Sequence, residues 1–141
     1  MIDLEQARGL LARAVLTQGP DFVYNVRLGA GCHYEPQSLA NIAKADGNGY
    51  NFEPKADDPR AKTGCLIGVA LSLAGETWHL GGRTRIADMN QRYPGHLTEA
   101  AVDYFARAQQ VQDSCGSWGE AYRTAEAIAE NLAKFYGSSR N

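Results

Sequence analysis

The stretch TGCLIGVALSLAG, residues 63–75, is the most apolar run in the chain, yet a cysteine stands near its start and a glycine in its middle. With Thr63 as a side-chain cap and Gly75 as a stop, the pattern predicts a helix over residues 63–75. Apolar positions cover nearly every face of that helix, which places it at the centre of the fold. Gly68 marks where a neighbouring element comes close. Cys65 falls in the predicted first turn, where the unpaired amides of a helix start favour a thiolate. Beside Leu66 and Ile67 the same residue is also an ordinary core packer, and core packing is the reading adopted.

Amphipathic helices are predicted on both sides of this run. Asp3 with Gln6 forms a capping-box pattern, and Leu4, Ala7, Leu10, Leu11, Ala14 and Val15 recur at helical spacing up to Gly19-Pro20. RIADMNQRY, residues 85–93, predicts a short helix with Ile86 and Met89 inward. Thr98 caps the next helix, with Leu97 stapled onto Val102 and an inner stripe of Ala101, Val102, Phe105, Ala108 and Val111 running to about Gln112. Ser117 with Glu120 opens a long helix that sets Ala121, Tyr122, Ala125, Ile128, Ala129, Leu132 and Phe135 on one face and stops at Gly137. The short 113–116 connection makes the last two helices an antiparallel hairpin.

Between the first helix and the apolar one the periodicity changes. DFVYNVRLG, residues 21–29, alternates as a half-buried strand does, and GYNFE, residues 49–53, is a candidate second strand after an Asp-Gly-Asn-Gly turn. The rest of 29–62 reads as loop, apart from a short helix around 38–45. The predicted fold class is therefore mainly α: a compact bundle of four to five helices with a minor β-hairpin or short strands and a long loop, with residues 1–141 as a single helical domain.

Composition narrows the class of protein. The 141 residues are 44% hydrophobic and 21% charged, a globular profile able to bury a core without metal or disulfides. No apolar run approaches the roughly 20 residues needed to cross a bilayer, and the first 20 residues are amphipathic and acid-bearing, unlike a signal peptide. A cytoplasmic location is expected, with the odd, sparse set Cys32, Cys65 and Cys115 as reduced thiols. The net charge is −2, but residues 60–92 hold five Lys/Arg against Glu76 and Asp88. That belt suits an anion and is too small for a nucleic-acid footprint.

Three constellations carry candidate chemistry. A Cys–His pair drawn from Cys65 or Cys32 with His79 or His96, oriented by Asp88 or Asp103, is the enzymatic alternative, although no spacing supports it. Structural zinc would require paired Cys/His ligands a few residues apart, and none occur, so neither metal nor cofactor is expected. GGRTR, residues 81–85, brings Arg83 and Arg85 to flexible backbone, while Arg60 and Lys62 precede the apolar helix. Converging on that helix start, they would form an anion pocket. Tyr34, Tyr50, Phe52 and Trp78 add aromatics of the kind that interfaces favour, and equally of the kind that pins a long loop onto helices.

The order Cys32-x-Tyr34, then GCLIGVAL (64–71), then AQQVQDSCGSWGEA (108–121) resembles small uncharacterised proteins encoded by actinobacterial phages and their hosts. The resemblance covers about the C-terminal two-thirds of the chain and implies a small cytoplasmic accessory protein, without implying an activity. The expected function is that of an accessory or regulatory binding protein, acting on a host protein or an anionic small ligand through the 29–62 loop and the 78–85 segment. A homodimer is compatible with this, and a virion assembly component is a further alternative.

Overall fold

The computed structural model describes residues 1–25, 32–47, 55–82 and 84–137. These are mainly helical: α1 (Leu4–Gln18), α2 (Leu39–Gly47), α3 (Pro59–Lys62), α4 (Leu66–Leu73), α5 (Ile86–Arg92), α6 (Glu99–Asp113) and α7 (Trp118–Gly137). Among the described residues extended pairing is limited to one isolated parallel bridge between Ile2 and Leu97.

Helix α1 starts where its capping box predicts, with Asp3 Oδ1 accepting from the Gln6 amide at 2.9 Å and Gln6 Oε1 accepting from the Asp3 amide at 2.9 Å. Its six predicted apolar positions are all buried. Just ahead of it the Ile2 amide donates to the His96 carbonyl at 2.8 Å and the Ile2 carbonyl accepts from Thr98 at 2.9 Å, so the chain start is tied to the start of α6. α6 and α7 form the most extensive helix pair, and α4 lies between α1 and α6 with Leu66, Ile67, Ala70 and Leu71 fully buried. Ala101, Ala108, Ala121, Ala125 and Ala129 are buried on these two helices, small side chains that let helices approach closely.

Among the described residues no β-hairpin is formed. Residues 21–25 form no strand; instead the Pro20 carbonyl accepts from the Gly119 amide at 2.8 Å and the Phe22 carbonyl from the Trp118 amide at 2.9 Å. Backbone acceptors that a strand would offer to a sheet thus satisfy the first amides of α7. The rest of both candidate strands, residues 26–29 and 49–53, lies outside the described residues.

The apolar helix is also shorter than its pattern. Asp58 and Pro59 start the single turn of α3, with Asp58 Oδ1 accepting from the Arg60 amide at 3.0 Å. Thr63 then closes α3 in an extended conformation, so α4 begins only after Cys65, which is its N-cap residue and not a first-turn residue. At the far end of the chain, Phe135 is 71% exposed although it continues the apolar face of α7. α7 has 20 residues against 15 in α6.

α6 ends in a Schellman motif, with Gly116 donating to the Val111 carbonyl at 3.0 Å and Cys115 to the Gln112 carbonyl at 3.1 Å. The left-handed position falls on Cys115, at φ 67°, and not on the glycine beside it. Gly116 is needed where it stands, because a Cβ there would lie 2.6 Å from the Val111 side chain.

Gly68 is where the neighbour comes close: a Cβ there would overlap the backbone of Tyr34. Gly68→Ala should therefore destabilise the fold by about 1–3 kcal/mol in chemical denaturation. Gly9→Ala, in the exposed middle of α1 with nothing within 4 Å, should stabilise it by about 0.5–1 kcal/mol. Equal responses at the two positions would refute this packing.

Candidate functional site

α4 and α5 both lack a side-chain cap of their own. The missing acceptors come from two buried glutamines one turn apart on α6. Gln112 Oε1 accepts from the Leu66 amide at 2.7 Å and from Trp118 Nε1 at 3.2 Å. Gln109 Oε1 accepts from the Ile86 amide at 2.8 Å, while its Nε2 donates to the Tyr34 hydroxyl at 3.0 Å. The Tyr34 hydroxyl in turn donates to the Thr84 carbonyl at 2.5 Å. Each amide side chain joins two or more elements and leaves few buried polar atoms without a partner.

Tyr34 is thus buried, 1% exposed, and the expectation that it faces outward is corrected. Its backbone lies over Gly64 and Gly68, and its amide donates to the Gly82 carbonyl at 3.2 Å. Burial raises the pKa of the phenol, which keeps it a neutral donor. Two residues before it, Cys32 is joined to Cys65 by a disulfide with Cα atoms 5.5 Å apart, and the Cys65 amide donates to the His33 carbonyl at 2.8 Å. The expectation of three reduced thiols is corrected accordingly: Cys115 is the free one. With both sulfurs of the bridge bonded and both residues buried, neither Cys32 nor Cys65 offers a thiolate in this state.

Among the described residues, Arg60, Lys62 and Arg85 do not converge on the start of α4. Arg60 is buried and forks onto Asp58, with Nε to Oδ1 at 3.1 Å and Nη2 to Oδ2 at 3.0 Å; a planar guanidinium buried this way requires such a carboxylate. The start of α4, to which an anion would bind, is covered by the Gln112 and His33 carbonyl oxygens. Lys62 is exposed and lines an open groove of about 450 Å³ with Tyr34, Glu35, Gly64, Ser72 and Leu80. Arg85 lines a different groove, about 610 Å³, with Asp103, Arg107, Gln110, Asp113 and Ile128, and pairs with Asp88 at 3.3 Å. Lys62 and Arg85 therefore serve separate grooves. Arg83, Tyr50 and Phe52 lie outside the described residues.

What the 76–96 region does assemble is an aromatic platform. Trp78 stacks on His96 with ring centroids 4.8 Å apart and planes 17° apart, and Tyr93 lies 6.2 Å from Trp78. Glu76 Oε2 sits 3.5 Å from His96 Nδ1. His79 points inward, fully buried, its Nε2 3.2 Å from Ser72 Oγ. Burial pushes the His79 pKa below its ordinary value, against the opposing pull of Glu76, Glu35 and the Gly68 carbonyl. Ser72 stands in the last turn of α4, where the helix carries partial negative charge, opposite to what a developing oxyanion requires; the contact serves to satisfy the buried ring. Neither Asp88, paired with Arg85, nor Asp103, accepting from Tyr136 at 2.5 Å, is seen to orient an imidazole.

The glutamines were legible in principle. Gln109 and Gln112 follow Phe105 and Ala108 at helical spacing, and a polar residue on an apolar stripe demands a partner. Searched against protein-family models, curated proteins and solved structures, the chain matches none. No described helix is long and apolar enough to cross a membrane.

Two outcomes follow. Gln112→Leu strands two buried donors and should cost about 2–4 kcal/mol in urea unfolding, whereas Gln110→Leu on the exposed face of the same helix should cost under about 0.5 kcal/mol. Because His79 titrates below 6.5 when folded, the unfolded chain binds its proton more tightly. Stability should rise with pH through the window that ends near 6.5, and thermal melts of His79→Gln across that window should show a weaker pH dependence.

Proposed function

We propose that this chain is a small cytoplasmic accessory protein, of the phage or actinobacterial kind its motifs resemble, that binds a host protein through the turn carrying Trp78 and Leu80, together with Tyr93. The observation that carries the reading is Leu80. It is 50% exposed, on a turn that is otherwise held from inside: its own amide donates to the Thr77 carbonyl at 3.1 Å, Gly82 donates to the His79 carbonyl at 3.1 Å, and Gly82 and Thr84 both accept from Tyr34. Leu16 and Phe135 are more exposed but stand on helix faces, and single exposed apolar residues are ordinary there. A rigid turn presenting an apolar side chain beside a 41% exposed Tyr93 loses little conformational entropy on binding. Pairing of Arg60 and Arg85 with their own aspartates favours a protein partner over an anionic small molecule.

A photo-reactive phenylalanine placed at residue 80 should give a discrete adduct in actinobacterial host cells that excess unmodified protein competes away. The same probe at Lys134, exposed on α7, should give none. Leu80→Asp should abolish capture by a tagged protein while shifting stability by less than about 0.5 kcal/mol. Identical adducts from both positions, or none at 80, would end this reading.

A further inference from the structure

We propose that the Cys32–Cys65 bridge is a redox latch on the turn that carries His79, Leu80, Gly82 and Thr84. This rests on the reading of that turn as the working face only for its biological use; the coupling itself stands on the contacts. One residue beyond Cys32, the His33 carbonyl accepts from Cys65; one further, Tyr34 holds Gly82 through its amide and Thr84 through its hydroxyl. Two residues of chain therefore separate the sulfur from the hydrogen bonds that hold the turn. The bridge spans 33 positions of sequence, so the 32–36 segment is fastened to α4 by a covalent tie that no local chain geometry supplies. Neither cysteine stands on α1, α6 or α7, and the 32–36 segment meets α6 through the Tyr34–Gln109 hydrogen bond, so opening the bridge releases the segment and the turn while α1, α6 and α7 stay assembled.

The chemistry is a dithiol–disulfide exchange. A thiolate of the reductant attacks Cys32 Sγ, the Sγ–Sγ bond breaks, and Cys65 leaves as a thiolate. The second thiol of the reductant, as its thiolate, displaces Cys32 from the mixed disulfide. Two electrons and two protons pass to the protein, which gains two thiols as the reductant becomes a disulfide. Both cysteines are buried, 2% and 0% exposed, so attack waits for the 32–36 segment to lift, the same motion that frees the turn.

The test is hydrogen exchange on the full chain in a Cys115→Ser background, oxidised and after treatment with dithiothreitol under native conditions, with Cys32→Ser as a reductant-free mimic of the open form. In the open form the amides of Tyr34, Cys65, Leu80 and Gly82 should exchange about tenfold faster or more, while those of α6 and α7 and the far-ultraviolet helical signal are unchanged. Equal exchange of the turn in both states, loss of protection throughout the helices, or a bridge that native dithiothreitol does not open each overturns the latch. Exchange needs no partner, so failed cross-linking at residue 80 would remove the binding reading and leave this one standing.

Discussion

The start of a helix exposes amides that its own backbone cannot satisfy, and in this protein several helices meet that requirement from elsewhere in the chain. Gln112 supplies the acceptor for α4 and Gln109 for α5, while the carbonyls of Pro20 and Phe22 supply α7. Each of these bonds crosses between elements, so satisfying the helix starts and fixing the tertiary arrangement are one event. α1, with its own capping box, depends least on this device.

Much of what looks like a signature in the sequence is consumed by it. Gln109 and Gln112 of AQQVQD, the tryptophan of SWGEA, the glycines of TGCLIG and the cysteine and tyrosine of CHY are joined pairwise within the interior. Their chemistry is that of neutral amides, a phenol and a sulfur bridge, which tolerate burial when paired. Leu80 and Tyr93, the residues proposed to meet a partner, stand outside this interior.

The interior also explains why titratable groups are few inside it. Arg60 and Asp58 neutralise each other in a bidentate pair, and His79 is held toward its neutral form. A second polar cluster lies across α1 and α7, where Arg8 donates to both oxygens of Glu126 at 3.0 Å and the Tyr104 hydroxyl donates to the same carboxylate at 2.7 Å. The Arg8 hydrogen bonds hold Glu126 below the usual carboxylate range, and the cluster closes the rim of the core without exposing an uncompensated charge.

Local information was enough for the helices whose caps and stripes lie in one stretch. The capping box at Asp3, the inward pair Ile86 and Met89, and the cap at Thr98 were readable because each depends on residues three or four apart. The start of α4, the absence of a strand at 21–25, the burial of Tyr34 and Arg60 and the joining of Cys32 to Cys65 were decided only by tertiary structure. In each of those cases the deciding partner lies far away in the chain: Gln112 for Leu66, Trp118 for Phe22, Thr84 for Tyr34, Cys65 for Cys32. Periodicity reports which face of an element is apolar, but it carries no record of which distant acceptor, sulfur or carbonyl will meet it.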